Sequence, residues 1–269
     1  MNKPKSLDKV IASAGQAVAD IGPGAVIASG GFGICGIPTV LIDALVEAGI
    51  GDLEIISNNC GVDGIGLGKL LENKQIRRIV ASYVGENKEF AHQYLGGELE
   101  VELTPQGTLA ERLRAAGVGI PAFYTVTGMG TQVATGGLPW RYGRDGSVAL
   151  ASPPKPTIEL DGKTFLLERA LPADFAFVRA WKGDRHGNLV FRKAARNFNP
   201  VAAMAARVAI AEVEHLVEPG ELDPDSIHLP GVYIDRVVAL SAAQVADKGI
   251  ERLTTRPLPR ANAGEPGWH

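Results

Sequence analysis

Short apolar, β-branched runs alternate with helically spaced apolar positions through the first half of the chain, the pattern of βα units built on a mainly parallel sheet. Ala25–Ser29 (AVIAS) reads as a buried strand that runs into the loop Gly30–Pro38. Thr39–Ala48 then places Val40, Leu41, Ala44, Leu45 and Ala48 on one helical face, with Gly49 as the stop. Leu53–Ser57, Ile76–Val84 and Leu99–Leu103 read as further strands, and Asn87–Leu95 as a helix. A third helix is expected over Thr108–Ala116, capped by Thr108 with Glu111 three residues on.

The pattern changes in the second half. Glycines cluster between Ala122 and Ser152, so one strand and a long irregular loop are expected there. Thr157–Leu160 and Thr164–Leu167 flank Asp161-Gly162, a tight-hairpin signal. Phe175–Trp181 and Asn188–Phe191 flank Gly183–Gly187 and predict a second hairpin. Ala202–Ala206 is helical in pattern, and Val208–Val213 and Val232–Val238 are strand-like. The expected architecture is therefore α/β, an open and mainly parallel sheet flanked by helices with added β-hairpins. One domain over residues 1–250 is expected, followed by a Pro- and Gly-rich tail, 251–269, that is flexible or partner-bound.

Composition sharpens this reading. The chain has 269 residues, 33 of them glycine, and only 6% aromatics, which points to tight turns around a sheet of small residues. A net charge of −3 gives no basic field for a polyanion, so no nucleic-acid partner is expected. Cys35 and Cys60 lack paired spacing and read as reduced thiols of a cytoplasmic protein. Ile21 to Ile42 is uncharged and long enough to span a bilayer, but its glycines and Pro23 and Pro38 break it into strand, loop and helix start. No membrane partner is expected. Lys3, Lys5, Asp8 and Lys9 interrupt any apolar signal core.

Several residues carry candidate chemistry. Gly31, Gly33 and Gly36 form G-x-G-x-x-G between strand and helix, where a dinucleotide site would put it, but the next strand ends in Ser57-Asn58-Asn59 without the acidic residue a ribose needs. The loop Gly30-Gly31-Phe32-Gly33 through Gly36 then reads either as a ligand-facing turn of another kind or as a bare tight turn. Asn58 and Asn59 stand at the carboxyl end of their strand, the usual ligand edge of a parallel sheet. Gln106 follows the fourth strand at the same edge and can donate a hydrogen bond to developing negative charge. Cys60 has no histidine near it in sequence, and the five histidines show no metal-ligand spacing, so no metal site is expected. Glu72-Asn73 and Glu86-Asn87 read as solvated helix ends. Arg185, Arg192, Lys193 and Arg196 form a basic cluster, either a solvated face or an anion contact.

The segments GGFGICGIP, SNNCGVDGIGLG, YVGENKEF, ELTPQGTLAERLRAAGVGIPAFYTVTG, DFAFVRAWKGDRHGN and RKAARNFNP together resemble the A subunit of the class I coenzyme A transferases, from about Val10 to Arg256. The resemblance implies an open α/β fold and an A2B2 heterotetramer formed with a B subunit. It implies transfer of CoA between succinyl-CoA and a 3-oxoacid such as acetoacetate, with 3-oxoadipate as the alternative acceptor. The nucleophilic glutamate is then expected on the B subunit, forming a glutamyl-CoA thioester, and no metal or redox cofactor is expected. Asn58, Asn59 and Gln106 match family active-site amides, and Gly30–Gly36 matches the loop bordering the same cleft. A nucleotide-dependent oxidoreductase is the competing reading from the glycine motif alone.

Overall fold

The computed structural model describes residues 7–85 and 87–247. The expected tail at 251–269 and Glu86 lie outside the described residues. Along the chain the first elements are α1 (Ala14–Ala17), β1 (Val26–Ser29), α2 (Thr39–Glu47), β2 (Leu53–Ile56), α3 (Gly68–Glu72), β3 (Ile76–Ala81), α4 (Lys88–Leu95), β4 (Glu100–Leu103) and α5 (Gln106–Gly117). There follow β5 (Ala122–Thr125), α6 (Gln132–Thr135), β6 (Pro139–Tyr142), β7 (Val148–Ala151), β8 (Thr157–Leu160), β9 (Lys163–Arg169) and β10 (Ala173–Asp184). The last are β11 (Leu189–Val190), α7 (Asn199–Ala205), β12 (Ala206–Val217), β13 (Arg236–Ala239) and α8 (Ala242–Ala246).

The main sheet runs β13-β12-β10-β1-β2-β3-β4, every neighbouring pair parallel, with β11 added antiparallel to β10. From β1 the chain steps outward through β2 and β3 to β4, then returns to the other side of β1 as β10. The crevice at such a reversal of strand order, beyond the carboxyl ends of the strands, is where open α/β sheets bind ligands.

Near-continuous apolar strands follow from burial on both faces. Ile27, Ile55, Ile79, Phe177 and Ile210 point into one core with Leu41 and Leu45 of α2, Leu70 and Leu71 of α3 and Phe90 of α4. Their sequence neighbours Ala28, Ile56, Val80, Val178 and Ala211 point the other way, onto Leu109 and Leu113 of α5 and Ala202 and Ala203 of α7. Alanines on this second face (Ala28, Ala176, Ala180, Ala209, Ala211) let α7 lie close to the sheet. The uncharged stretch Ile21–Ile42 is β1, a loop and the start of α2. Among the described residues no helix is long and apolar enough to cross a membrane.

Several expected boundaries move, each for a physical reason. The helix expected from Thr108 begins at Gln106, with Pro105 as its N-cap and Leu109 N donating to Pro105 O at 2.8 Å. Thr108 is buried inside that helix and its Oγ1 has no hydrogen-bond partner, so it is no cap. β3 stops at Ala81, short of Val84, because Ser82 N and Tyr83 N both turn onto the carbonyl of Asn58, at 3.0 and 3.1 Å. The loop expected within Ala122–Ser152 contains α6 and a hairpin, β6–β7. Val232, expected in a strand, is exposed on a 3-10 turn, and β13 begins only at Arg236. Asn87, read as solvated, is buried: it caps α4 by accepting from Phe90 N at 2.9 Å and donates to Cys60 O at 3.0 Å.

Both expected hairpins form. Asp161 (φ 50°) and Gly162 (φ 70°) turn β8 into β9, and both central residues at positive φ are what a tight two-residue turn requires. Lys182 pairs with Val190 across the second hairpin.

Candidate active site

Asn58 and Asn59 leave the carboxyl end of β2, and Gln106 opens α5 just beyond the carboxyl end of β4. The fold brings the three amides together. Gln106 Nε2 donates to Asn58 Oδ1 at 2.9 Å, and Asn58 Nδ2 donates to Asn59 Oδ1 at 3.4 Å. Ser82 Oγ lies 3.1 Å from the same Asn58 Oδ1 and 3.2 Å from the Asn58 carbonyl. Both asparagines are buried, whereas Gln106 is exposed at the edge. The Asn58 bond uses one of the two N–H groups on Gln106 Nε2, and the amide has a second to give.

Gln106 is held by its helix. Arg112, buried on α5, bonds Glu102 Oε1 at 2.6 Å, Thr104 Oγ1 at 3.2 Å and the carbonyl of Arg169 at 2.8 Å. Glu102 in turn pairs with Arg78, whose cross-strand neighbours Glu54 and Glu100 pair with it too. Opposing charges fill the flank of the sheet next to the site and fix α5 against β4. The arrangement can polarise a carbonyl or hold an oxyanion with neutral donors, but an amide is no nucleophile.

Cys60 is fully buried and burial pushes its thiol pKa up, the wrong direction for a reactive thiolate. Asp63, on the same loop after β2, accepts from Lys88 N at 2.9 Å and Glu89 N at 3.3 Å, which ties that loop to the start of α4.

The glycine loop is shaped mainly by what lies under it. A Cβ on Gly30 would stand 2.0 Å from Asn199 Oδ1, and one on Gly36 would stand 2.9 Å from the carbonyl of Ala195. Asn199, fully buried, accepts from Arg179 N at 3.0 Å and donates to Gly36 O at 3.0 Å and Ala195 O at 2.8 Å. Asn197 accepts from Gly31 N at 3.2 Å and donates to Cys35 O at 3.0 Å. Gly33 has open space around it, and Phe32 beside it is 47% exposed.

The start of α2, where a dinucleotide fold would seat a phosphate, is filled from within. Leu41 N donates to Glu212 Oε2 at 3.0 Å. Glu212 is fully buried and pairs with Arg179 at 3.2 Å, and Arg179 also bonds Glu214 at 3.2 Å. Burial pushes the Glu212 carboxyl up to about 7, with Arg179 and the α2 amides pulling it back. This internal carboxylate removes the anion seat on which the oxidoreductase reading depends.

Sequence reading missed Arg179, Glu212, Asn197 and Asn199. The cross-strand register Arg179↔Glu212 was the recoverable signal, since both stand inside otherwise apolar runs. The basic cluster splits in the structure. Arg185 pairs with Asp8, while Arg192, Lys193 and Arg196 stay exposed.

Comparison with known proteins agrees with this architecture. Residues 11–240 match the family described as coenzyme A transferase. The A subunit of a probable succinyl-CoA:3-ketoacid coenzyme A transferase of Mycobacterium tuberculosis is 65% identical over 250 residues, covering 93% of this chain and 100% of the relative. Human succinyl-CoA:3-ketoacid coenzyme A transferase 2, mitochondrial, is 53% identical over 262 residues, 97% of this chain and 50% of the relative. Among solved structures, an acyl-CoA transferase of Escherichia coli O157:H7 superposes with a TM-score of 0.76 at 24% identity, over 91% of this chain and 49% of that one. Glutaconate coenzyme A-transferase from Acidaminococcus fermentans gives 0.70 at 21% identity, over 86% and 75%. The structural likenesses establish the fold; the family match and the relatives establish descent. The chain belongs to the coenzyme A transferase family.

Proposed function

We propose that this chain is the A subunit of a succinyl-CoA:3-ketoacid CoA-transferase and works only with a B subunit. The observation that carries this is the 65% identity across the whole length of a relative named as the A subunit of that enzyme. The human relative, of which this chain matches half, supports a second polypeptide supplying the remainder. The relatives' names give the acceptor class as a 3-ketoacid, and within that class we take acetoacetate as the acceptor, with 3-oxoadipate as the alternative.

In this reaction the B subunit supplies a glutamate whose carboxylate attacks the thioester carbonyl of succinyl-CoA and expels CoA thiolate, leaving a mixed anhydride. The thiolate attacks the glutamyl carbonyl and releases succinate, giving a glutamyl-CoA thioester. Acetoacetate reverses the sequence and leaves as acetoacetyl-CoA. Each attack builds an oxyanion. Gln106 donates to that oxyanion with its second N–H, Asn58 and Asn59 hold the glutamine and the acyl group in place, and Gly30–Gly36 borders the cleft. Dividing the exchange into such steps gives ping-pong kinetics. The chemistry requires no cofactor beyond the CoA of the substrate. Assembly is as A2B2, in the cytoplasm, where the free thiols Cys35 and Cys60 stay reduced.

Co-expression with a B subunit tests the reading: the purified complex should form acetoacetyl-CoA from succinyl-CoA and acetoacetate with parallel double-reciprocal plots. A complex that binds both substrates yet transfers no CoA would overturn it.

A further inference from the structure

A loop that borders a CoA site needs a way to hold the phosphates of its substrate, and the usual seat is closed here. Glu212 occupies the amide at the start of α2 that a phosphate would take. The same loop is bonded to a second element, the 3-10 turn Lys193–Arg196. Asn197, at the end of that turn, bonds Gly31 N and Cys35 O, while Ala195 packs against Gly36 and Asn199 bonds both. The turn and the loop are therefore tied together by hydrogen bonds and packing.

The turn carries cations that the fold does not neutralise. Arg192, Lys193 and Arg196 are exposed, and among the described residues none has a carboxylate in ion-pair reach, unlike Arg78, Arg112, Arg179 and Arg185. Arg192 is placed by its guanidinium lying 5.3 Å from the Trp181 ring centroid, with Lys182 over the same ring at 4.5 Å. Lys193 adopts φ 51°, a left-handed conformation that costs a non-glycine residue free energy. Two imidazoles lie nearby: His228 Nδ1 accepts from Phe191 N at 2.9 Å, and burial, then Arg196, hold its pKa down, while His215 stands edge-on to Trp181 with ring centroids 6.3 Å apart. In a chain of net charge −3, this is a local concentration of positive charge fixed to the glycine loop.

We propose that the turn Arg192–Arg196 binds the phosphate groups of the CoA thioester. The proposal rests on the CoA-transferase reading and assigns it an anion subsite. Sheet geometry chooses between the two anions that succinyl-CoA offers. β11, which leads into the turn, pairs with β10 at Lys182 and Gly183 on the edge that faces β1, because β12 fills the other edge, so the turn lies beyond the carboxyl end of β1, one strand from β2 and three from β4. At ~4.8 Å per strand, that is about 5 Å across the sheet from the end of β2 and about 14 Å from Gln106 beyond the end of β4. The free carboxylate of a succinyl group is only two methylenes from the reacting carbonyl and does not reach the turn from a carbonyl held at Gln106. The CoA phosphates sit beyond the extended pantetheine arm and do.

The test is the paired variant Lys193→Gln and Arg196→Gln in the assembled A–B enzyme, with Arg196→Gln alone as the milder form and thermal unfolding as the check on folding. Calorimetric titration with free CoA should give a dissociation constant raised about tenfold or more. Pantetheine, which lacks phosphate, should bind wild type and variant alike, and dephospho-CoA should show whether the 3′-phosphate is among the groups held. In kinetics the loss should appear in KM for succinyl-CoA, with KM for acetoacetate unchanged. Unchanged CoA affinity overturns the proposal, as does an equal loss for pantetheine or a selective loss for succinate. The outcomes separate from those for the function itself: weakened CoA binding in an assembly that transfers no CoA would keep the subsite and remove the transferase reading.

Discussion

Gln106 donates a hydrogen bond to Asn58 across the carboxyl edge of the sheet, at 2.9 Å, although the two residues stand on elements separated by β3. The bond aims an exposed amide by means of a buried one, and leaves an N–H for a reacting oxygen. In the proposed role of oxyanion donor, Gln106 should be sensitive to removal yet unimportant for folding, because it sits at the exposed first turn of α5.

Gln106→Ala should therefore lower kcat roughly 10²–10³-fold, about 2.7–4 kcal/mol, in the assembled enzyme. Acyl-CoA binding should change little. Gln106→Glu should be slower still, since a carboxylate repels an oxyanion, while a negative charge at a helix start leaves the fold as stable as before. Steady-state kinetics and thermal unfolding on both variants check this. A kcat loss under threefold, or one that tracks unfolding, would make Gln106 a structural residue.

The buried thiol gives the opposite expectation. Cys60 lies wholly inside the first core and burial raises its pKa, so native protein should react with alkylating reagents at Cys60 far more slowly than unfolded protein. Cys60→Ser should cost about 1–3 kcal/mol of stability by burying a hydroxyl, and keep activity within about tenfold in the folded enzyme. Complete inactivation with the fold intact would make the thiol catalytic.

The glycine loop offers a pair of substitutions that differ in what lies beneath and in backbone conformation. Gly30→Ala drives a methyl to 2.0 Å from Asn199 Oδ1 and should destabilise by about 3 kcal/mol or more, since Asn199 must give up buried hydrogen bonds. Gly33→Ala meets open space and bears only the left-handed φ of 58°, costing about 1–2 kcal/mol. Denaturant titration of both variants measures the difference, and equal losses would contradict the packing assignment.

Much of the fold was legible because the strands of the main sheet are nearly pure apolar runs buried on both faces, as in Ala25–Ser29 and Leu53–Ile56. β10 and β12 run longer than their patterns suggested, 12 residues each, because their last residues, Lys182–Asp184 and Glu214–Val217, mix polar and apolar positions and are held in the sheet by pairing with each other and with β11. The β6–β7 hairpin was hidden for a related reason: Val148–Ala151 is exposed throughout, so its residues follow no inside–outside alternation. Gln106, Asn58 and Asn59 stood out as polar residues at strand ends. The asparagine clamp of Asn197 and Asn199 did not, since its partners lie 162 and 163 positions away in the glycine loop.

Glu212 makes a pH prediction with a definite sign. Burial raises its folded-state pKa to about 7, above the unfolded value, so between about pH 5 and 7 the folded state holds a proton that the unfolded state has lost. The group's contribution is most favourable at low pH and falls as pH rises through that window, by a few kcal/mol at most. Glu212→Gln keeps an acceptor for Leu41 N and removes the titration. The stability of wild type minus that of Glu212→Gln should decline from pH 5 to about 7.5 and then level off. A difference that grows with pH would mean that Arg179 dominates burial at this site.

The central claim concerns a chain that supplies amides and a loop to a reaction whose nucleophile lies on another polypeptide. Its most direct test is the rate of acetoacetyl-CoA formation from succinyl-CoA and acetoacetate by the purified chain, verified free of B subunit, before and after reconstitution with that partner. No turnover above background is expected from the isolated chain, and turnover at an ordinary enzymatic rate once the B subunit is present. Turnover by the chain alone, or a reconstituted complex that stays inert, would contradict the claim.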